Sequence, residues 1–383
     1  MLIGGKIKAY FKQLVASSLL VCCKRMPPFE SPVVMNPISS PALRGGSLAL
    51  LAATLFGLST PLVQHFGQGL GAFTTAALLY AGAAAVALVL RQPPEREAAL
   101  TRADGPRIVA MAALGAVIGP VALAWGLQRT SGSSASLMLT LEALFTAVLA
   151  WRLYGETMDK RVGVAMLLLL AGGVALVVDQ GLAGGTQLLG LLAVLAATAA
   201  WGVDNTLSRG VAERDPGQVV LVKSTLGACA TVTLAYFLAE PLPSGWAAAA
   251  LLAIGATGYG LSLRFYLLAQ RAFGAGRTGS VFAFAPFIGA LGAFAFGSRT
   301  VTWMLAVGGV LMAVGVVLHL FERHGHAHDH DALEHEHAHT HDDGHHLHTH
   351  DPMPTGSHSQ RHRHAPMRHS HPHVPDSHHL HRH

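Results

Sequence analysis

The chain has 383 residues, 51% of them hydrophobic and only 12% charged, with a formal net charge of +5. Soluble domains carry about 25% charged residues, and here much of the charge sits at the two termini and in short connectors. Helices that are apolar all round leave no surface for water, so the composition excludes a water-soluble globular fold. The basic residues follow the loops rather than forming a patch, so the charge is no nucleic-acid signal.

Residues 1–45 read as an amino-terminal extension, disordered or preceding the true start. Lys6, Lys8 and Lys12 precede an apolar stretch from Leu14 to Cys23. That stretch is short and runs into Lys24-Arg25 rather than a small-residue cleavage site, which argues against a targeting sequence. The three cysteines, Cys22, Cys23 and Cys229, form no CxxC pair and no disulfide framework.

Ten apolar runs then follow, at about 46–64, 73–90, 108–127, 133–153, 161–178, 187–207, 216–238, 246–270, 276–297 and 301–321. About 20 apolar residues cross a hydrocarbon core as a helix, so the expected fold is an all-α integral membrane protein with ten transmembrane helices, here called spans one to ten. The connectors after the even-numbered spans hold Arg91, Arg96, Arg102, Arg107, Arg152, Lys160, Arg161, Arg209, Arg214, Arg271 and Arg277, against Arg129 and Arg299 on the other side. This bias predicts that both termini are cytoplasmic, in a plasma (inner) membrane.

The two halves repeat. Leu48 to Thr54 in span one matches Leu192 to Thr198 in span six, 144 positions on, and Ser136 matches Ser280 at the same offset. Gln128-Arg129 matches Gln270-Arg271 at 142. Five spans are an odd number, so the second copy enters the membrane from the opposite face. The expected units are therefore 46–178 and 187–321, five helices each, as inverted repeats of the kind found in secondary transporters.

The segment Ser133 to Leu137, through Leu141-Glu142-Ala143-Leu144-Phe145 and on to Leu153-Tyr154-Gly155-Glu156, resembles the fourth-helix signature of the EamA-type drug/metabolite transporters. Ala285-Pro286-Phe287-Ile288-Gly289-Ala290 resembles the same signature in a second copy. The resemblance covers 46–321 and implies two five-helix repeats and movement of small solutes. Two departures stand out: Ala143 where a proline often follows the glutamate, and Gly297-Ser298 in place of a Gly-Glu pair.

Four ionisable residues interrupt the apolar runs: Glu142, Asp204, Lys223 and Arg264. Each costs about 2.5–3.5 kcal/mol at a helix centre, so such groups face water or the protein interior. They are the candidates for a substrate cavity or a coupling site. Lys223 and Arg264 would attract an anionic or zwitterionic group, while Glu142 or Asp204 could carry a coupling proton. The competing reading is that Asp204 pairs with Lys223 or Arg264 and only locks helices. Gly57, Pro61, Gly119, Pro120, Gly255, Gly258 and Gly260 are candidate hinges or packing positions. Trp125, Trp201, Tyr259 and Tyr266 are candidate cavity walls.

From Glu322 the chain becomes a polar tail, 322–383, holding 22 of the 24 histidines and expected to have no fold of its own. His324, His326, His328, His330, His335, His337, His339, His341, His345, His346, His348 and His350, interleaved with acids, suit loose binding of zinc, nickel, cobalt or copper. The expected partners are the lipid bilayer and a small-molecule solute, with metal ions at the tail; a homodimer is an open alternative. No nucleophile constellation or phosphate loop points to an enzyme, and no cofactor is required. The expected function is secondary transport of a small organic solute. The alternatives are a divalent metal transporter and a membrane-anchored metal buffer or sensor.

Overall fold

A computed structural model describes residues 41–92, 97–154, 160–273, 275–297, 301–320, 325–330, 333–339, 358–364 and 367–372. The extension expected over 1–45 thus lies outside the described residues, apart from 41–45. Those five open the first helix, which begins at Pro41; a proline at the first helical position loses only an N–H that would be orphaned anyway.

The bundle is helical throughout, and the chain is an integral membrane protein of ten transmembrane helices in two inverted repeats. Among the described residues, nine helices are long and apolar enough to cross a bilayer, and a shorter apolar one follows them. Spans one and two are Pro41–Phe66 and Ala72–Leu90. Spans five, six and seven are Lys160–Ala183, Gly185–Ser208 and Pro216–Phe237. Span ten is Trp303–Leu320. Span five runs past its expected end, so a single residue, Gly184, joins the two halves. Its φ of 140° suits only glycine, which is what allows so tight a reversal.

The other four spans are interrupted, in matching pairs. Span three consists of Gly105–Met111, a π-helical segment Ala112–Ile118, and Gly119–Leu127. Span eight consists of Gly245–Ile254, a π-helical segment Gly255–Leu261, and Ser262–Phe273. The two π segments are 143 positions apart. Span four breaks between Gly132–Met138 and Leu141–Tyr154, and span nine breaks between Ala275–Phe282 and Ala285–Ala295. The repeat therefore conserves the defects of the helices as well as their number.

Packing follows the same pseudo-twofold. Span two packs on span seven and span five on span ten, each against its own repeat mate, while span one lies on span eight as span three lies on span six. Small residues make these approaches possible. A Cβ at Gly82 or Gly255 would run into the backbone of Leu252 or Leu79 on the facing helix. Most of the candidate hinge glycines thus serve close packing.

In the tail, the backbone of Gly325–His330 pairs antiparallel with Met367–Pro372, and Leu333–His339 pairs with His358–His364. In these four segments the alternating H-x-H pattern has the two-residue period of a strand.

Candidate functional site

The site begins with a proline. Pro120 has no N–H, so one carbonyl a turn earlier in span three must lose its helical partner. In the π segment the hydrogen bonds run five residues back, as from the Gly119 N–H to the Leu114 carbonyl. The orphan is therefore the carbonyl of Gly115. It accepts hydrogen bonds from the Tyr80 hydroxyl and, at 2.9 Å, from the Trp201 indole N–H. One backbone defect thereby ties spans two, three and six together at mid-membrane.

Gly115 also leaves the space that the charges need. A Cβ there would overlap the Asp204 carboxylate and press on the Lys223 ammonium. Asp204 on span six and Lys223 on span seven form a buried ion pair, with Lys223 only 2% exposed. Lys223 therefore does not snorkel to water. The pair satisfies one carboxylate oxygen, Oδ2, and Oδ1 has no hydrogen bond among the described residues.

Beside them, Glu142 lies at the start of the second piece of span four and accepts a hydrogen bond from the Asn205 amide. It is 9% exposed. Lys223 is committed to Asp204, and among the described residues no cation lies within ion-pair distance of Glu142. Glu142, Asn205, Asp204, Lys223 and Ser224 line one small cavity of about 60 Å³, room for a few waters. Among the described residues, the Ser224 hydroxyl has no hydrogen-bond partner, and neither do those of Ser136 and Thr140 at the break in span four.

The rest of the wall is aromatic. Phe56 stands 5.5 Å from Trp201, 5.8 Å from Tyr259 and 5.5 Å from Phe282, ring centre to ring centre. Tyr80 approaches Tyr259 at 5.6 Å and Tyr266 approaches Phe282 at 5.0 Å. Most of these contacts are edge-on, the geometry that ring quadrupoles favour.

Three of the four charged candidates, Glu142, Asp204 and Lys223, thus meet at one place. Arg264 does not line the cavity. It donates to the Leu90 carbonyl at 3.0 Å, closing the end of span two. Trp201, Tyr259 and Tyr266 line the cavity as expected, whereas Trp125 is on the perimeter under the Arg129 guanidinium. Sequence reasoning missed Asn205, Tyr80, Phe56, Phe282 and the Gly115 carbonyl. Asn205 and Tyr80 had a signal, a polar group inside an apolar run; Phe56 and Phe282 had none.

Among the described residues, no group of three or more His, Cys, Asp or Glu is placed to hold a metal ion. His326, His328, His330, His335, His337 and His339 lie on the paired tail segments, where only the backbone is described. His324, His341, His345, His346, His348 and His350 fall outside the described residues.

Ion pairs and hydrogen bonds tie helices and connectors together at both ends of the bundle. On the side rich in basic connectors, Arg271 binds Glu97 at 2.8 Å and Arg214 binds Asp104 at 3.2 Å. On the other side, Gln64 donates to the Leu127 and Thr130 carbonyls and Gln128 to that of Leu70.

The EamA-like transporter family model matches residues 43–178 and 188–321, one copy per half. An uncharacterized transporter from Methanothermobacter thermautotrophicus is 26% identical over 300 residues, 71% of this chain and 85% of the relative. A crystal structure at 22% identity superposes with a TM-score of 0.52 over 73% of this chain and 94% of its own, which is a likeness of fold.

Proposed function

The chain belongs to the EamA-like transporter family, and on that premise we propose that it is a secondary transporter moving a small organic solute by alternating access through the central cavity. The observation that carries the reading is Glu142, a buried carboxylate with no cation of its own, facing an aromatic-walled cavity at the interface of the two repeats. Asp204 and Lys223 cancel each other, so the charge that the cavity lacks is positive. An ammonium group on the solute supplies it on loading, and a proton supplies it on return. Unpaired charge at this depth is costly, so Glu142 does not cross empty. The expectation of an anionic ligand weakens accordingly, because Lys223 is occupied and Arg264 stands elsewhere.

With only a few waters' worth of space, a solute requires the cavity to widen. The positive-inside bias supports a cytosolic position for the end bearing Arg271 and Arg214 and for both termini. The metal readings rest on the tail alone.

The test is tracer flux in proteoliposomes for amine-bearing, neutral and anionic solutes, with and without a proton gradient. Glu142→Gln is expected to lower flux of a transported amine by roughly tenfold or more, the loss of one charge-assisted interaction, while the protein stays monodisperse. Transport confined to anions and indifferent to Glu142→Gln would overturn the proposal.

A further inference from the structure

A second, larger cavity lies away from the central site, at the end of the bundle opposite the basic connectors. It measures about 580 Å³ and is bordered by spans two, three and six and by the residue at the end of span seven. That volume is in the range of about 300–1,000 Å³ that holds a drug-sized ligand. Phe73, Val117, Ile118, Val121 and Ala122 give it apolar walls. Ile118 and Trp125 are exposed on the perimeter, where the neighbour in a membrane is lipid.

Two charged side chains line the groove and are not paired with each other. Arg129 donates to the Trp125 carbonyl at 2.9 Å, and its guanidinium carbon lies 3.8 Å from the centre of the Trp125 ring. Among the described residues no carboxylate is within 4 Å of it. Glu240 is held opposite by the start of span two, accepting from the Thr74 N–H at 2.7 Å, the Thr74 hydroxyl at 2.8 Å and the Phe73 N–H at 3.2 Å. The turn that delivers it passes through Ala239, at a φ of 51° that a residue with a Cβ adopts at some cost.

An apolar wall facing lipid, with separate positive and negative groups at the depth where tryptophan marks the membrane boundary, is complementary to a zwitterionic amphiphile. A free phosphate would leave the wall bare, and an apolar chain alone would leave both charges unmet. We propose that this groove is a binding site for a phospholipid of the surrounding leaflet with a primary ammonium headgroup, of the phosphatidylethanolamine type. Its phosphate meets Arg129, its ammonium faces Glu240, and an acyl chain runs along span three. The proposal rests on membrane embedding and not on the transport reading. It has a consequence for the central site all the same, because Val117 and Ile118 belong to the π segment that carries the Gly115 carbonyl.

The test is native mass spectrometry of the purified full chain in detergent, titrated separately with phosphatidylethanolamine, phosphatidylglycerol and phosphatidylcholine. Wild type is expected to retain phosphatidylethanolamine in preference to the other two. Arg129→Gln is expected to cut that retention by roughly tenfold, the worth of one charge-assisted hydrogen bond. Glu240→Gln is expected to remove the preference over phosphatidylglycerol while retention of total lipid persists. Because Glu240 also caps span two, Arg129→Gln, checked for monodispersity, is the deciding variant. Equal retention of all three lipids by wild type, retention unchanged in Arg129→Gln, or displacement of the lipid by inorganic phosphate would each overturn the proposal.

Discussion

The Asp204–Lys223 pair is buried and links spans six and seven, each of which packs on the π segment of span three, so removing one member leaves the other charged and uncompensated. Asp204→Asn and Lys223→Met are each expected to destabilise the protein by about 3–5 kcal/mol, whereas the double substitution recovers most of that loss. Thermal unfolding of the four proteins in one detergent measures the coupling, and additive losses would show that the pair does not act as a unit. Gly115→Ala tests the same spot from the backbone side. Its methyl group must displace the carboxylate, at a cost of about 1–3 kcal/mol for overpacking, and solute flux is expected to fall with stability. The glycine was not legible in the sequence. Asp204 and Lys223 were, because an ionisable residue in an apolar run has few fates. Their choice of each other over Arg264 depends on how spans six and seven pack around span three, and hydropathy carries no information about that.

Among the described residues, hydrogen bonds tie connectors that lie far apart in sequence. Arg271, at the end of span eight, spans the loop after span two and the turn before span seven: it holds both Glu97 oxygens, at 2.8 and 3.1 Å, and donates to the Arg214 carbonyl at 2.9 Å. Ala98 and Arg214 pair backbone to backbone beside them. Burial raises the Glu97 carboxyl above its ordinary value of 4.5, with Arg271 pulling the other way and losing. The carboxyl therefore holds its proton more tightly here than when solvated. Its contribution to the stability of this fold is complete below 4.5 and is lost as pH rises through the raised value. Glu97→Gln, which mimics the protonated form, is expected to flatten the pH dependence of thermal stability without lowering stability at neutral pH. A melt of the variant that follows wild type at every pH would contradict this. The ten runs and their boundaries were readable from hydropathy within a few residues, but these ties were not, since they depend on loops far apart in sequence. The helix defects were half-readable: Gly119-Pro120 and the glycines of span eight marked the right helices, while the π segments begin several residues before that proline and at the first of those glycines.

On the scale of the whole chain, bundle and tail are chemically separate, and the transport reading assigns them separate work. Deleting 324–383 is expected to leave solute flux in proteoliposomes within about twofold of wild type, a surface-sized effect, while abolishing bulk binding of zinc or nickel by equilibrium dialysis. Loss of all flux, together with metal movement by the intact protein, would favour the metal transporter instead. The pseudo-twofold has a further implication. In a perfectly repeated carrier, inward and outward shapes would be mirror exchanges of the same two folds, equal in energy. Here the repeat is faithful in its helix defects but not in its ionisable groups: spans one and two hold no acid or base at the depth of Asp204 and Lys223 on their mates, spans six and seven. On the alternating-access reading proposed above, the two facings are therefore not isoenergetic, and the unloaded carrier has a built-in resting side.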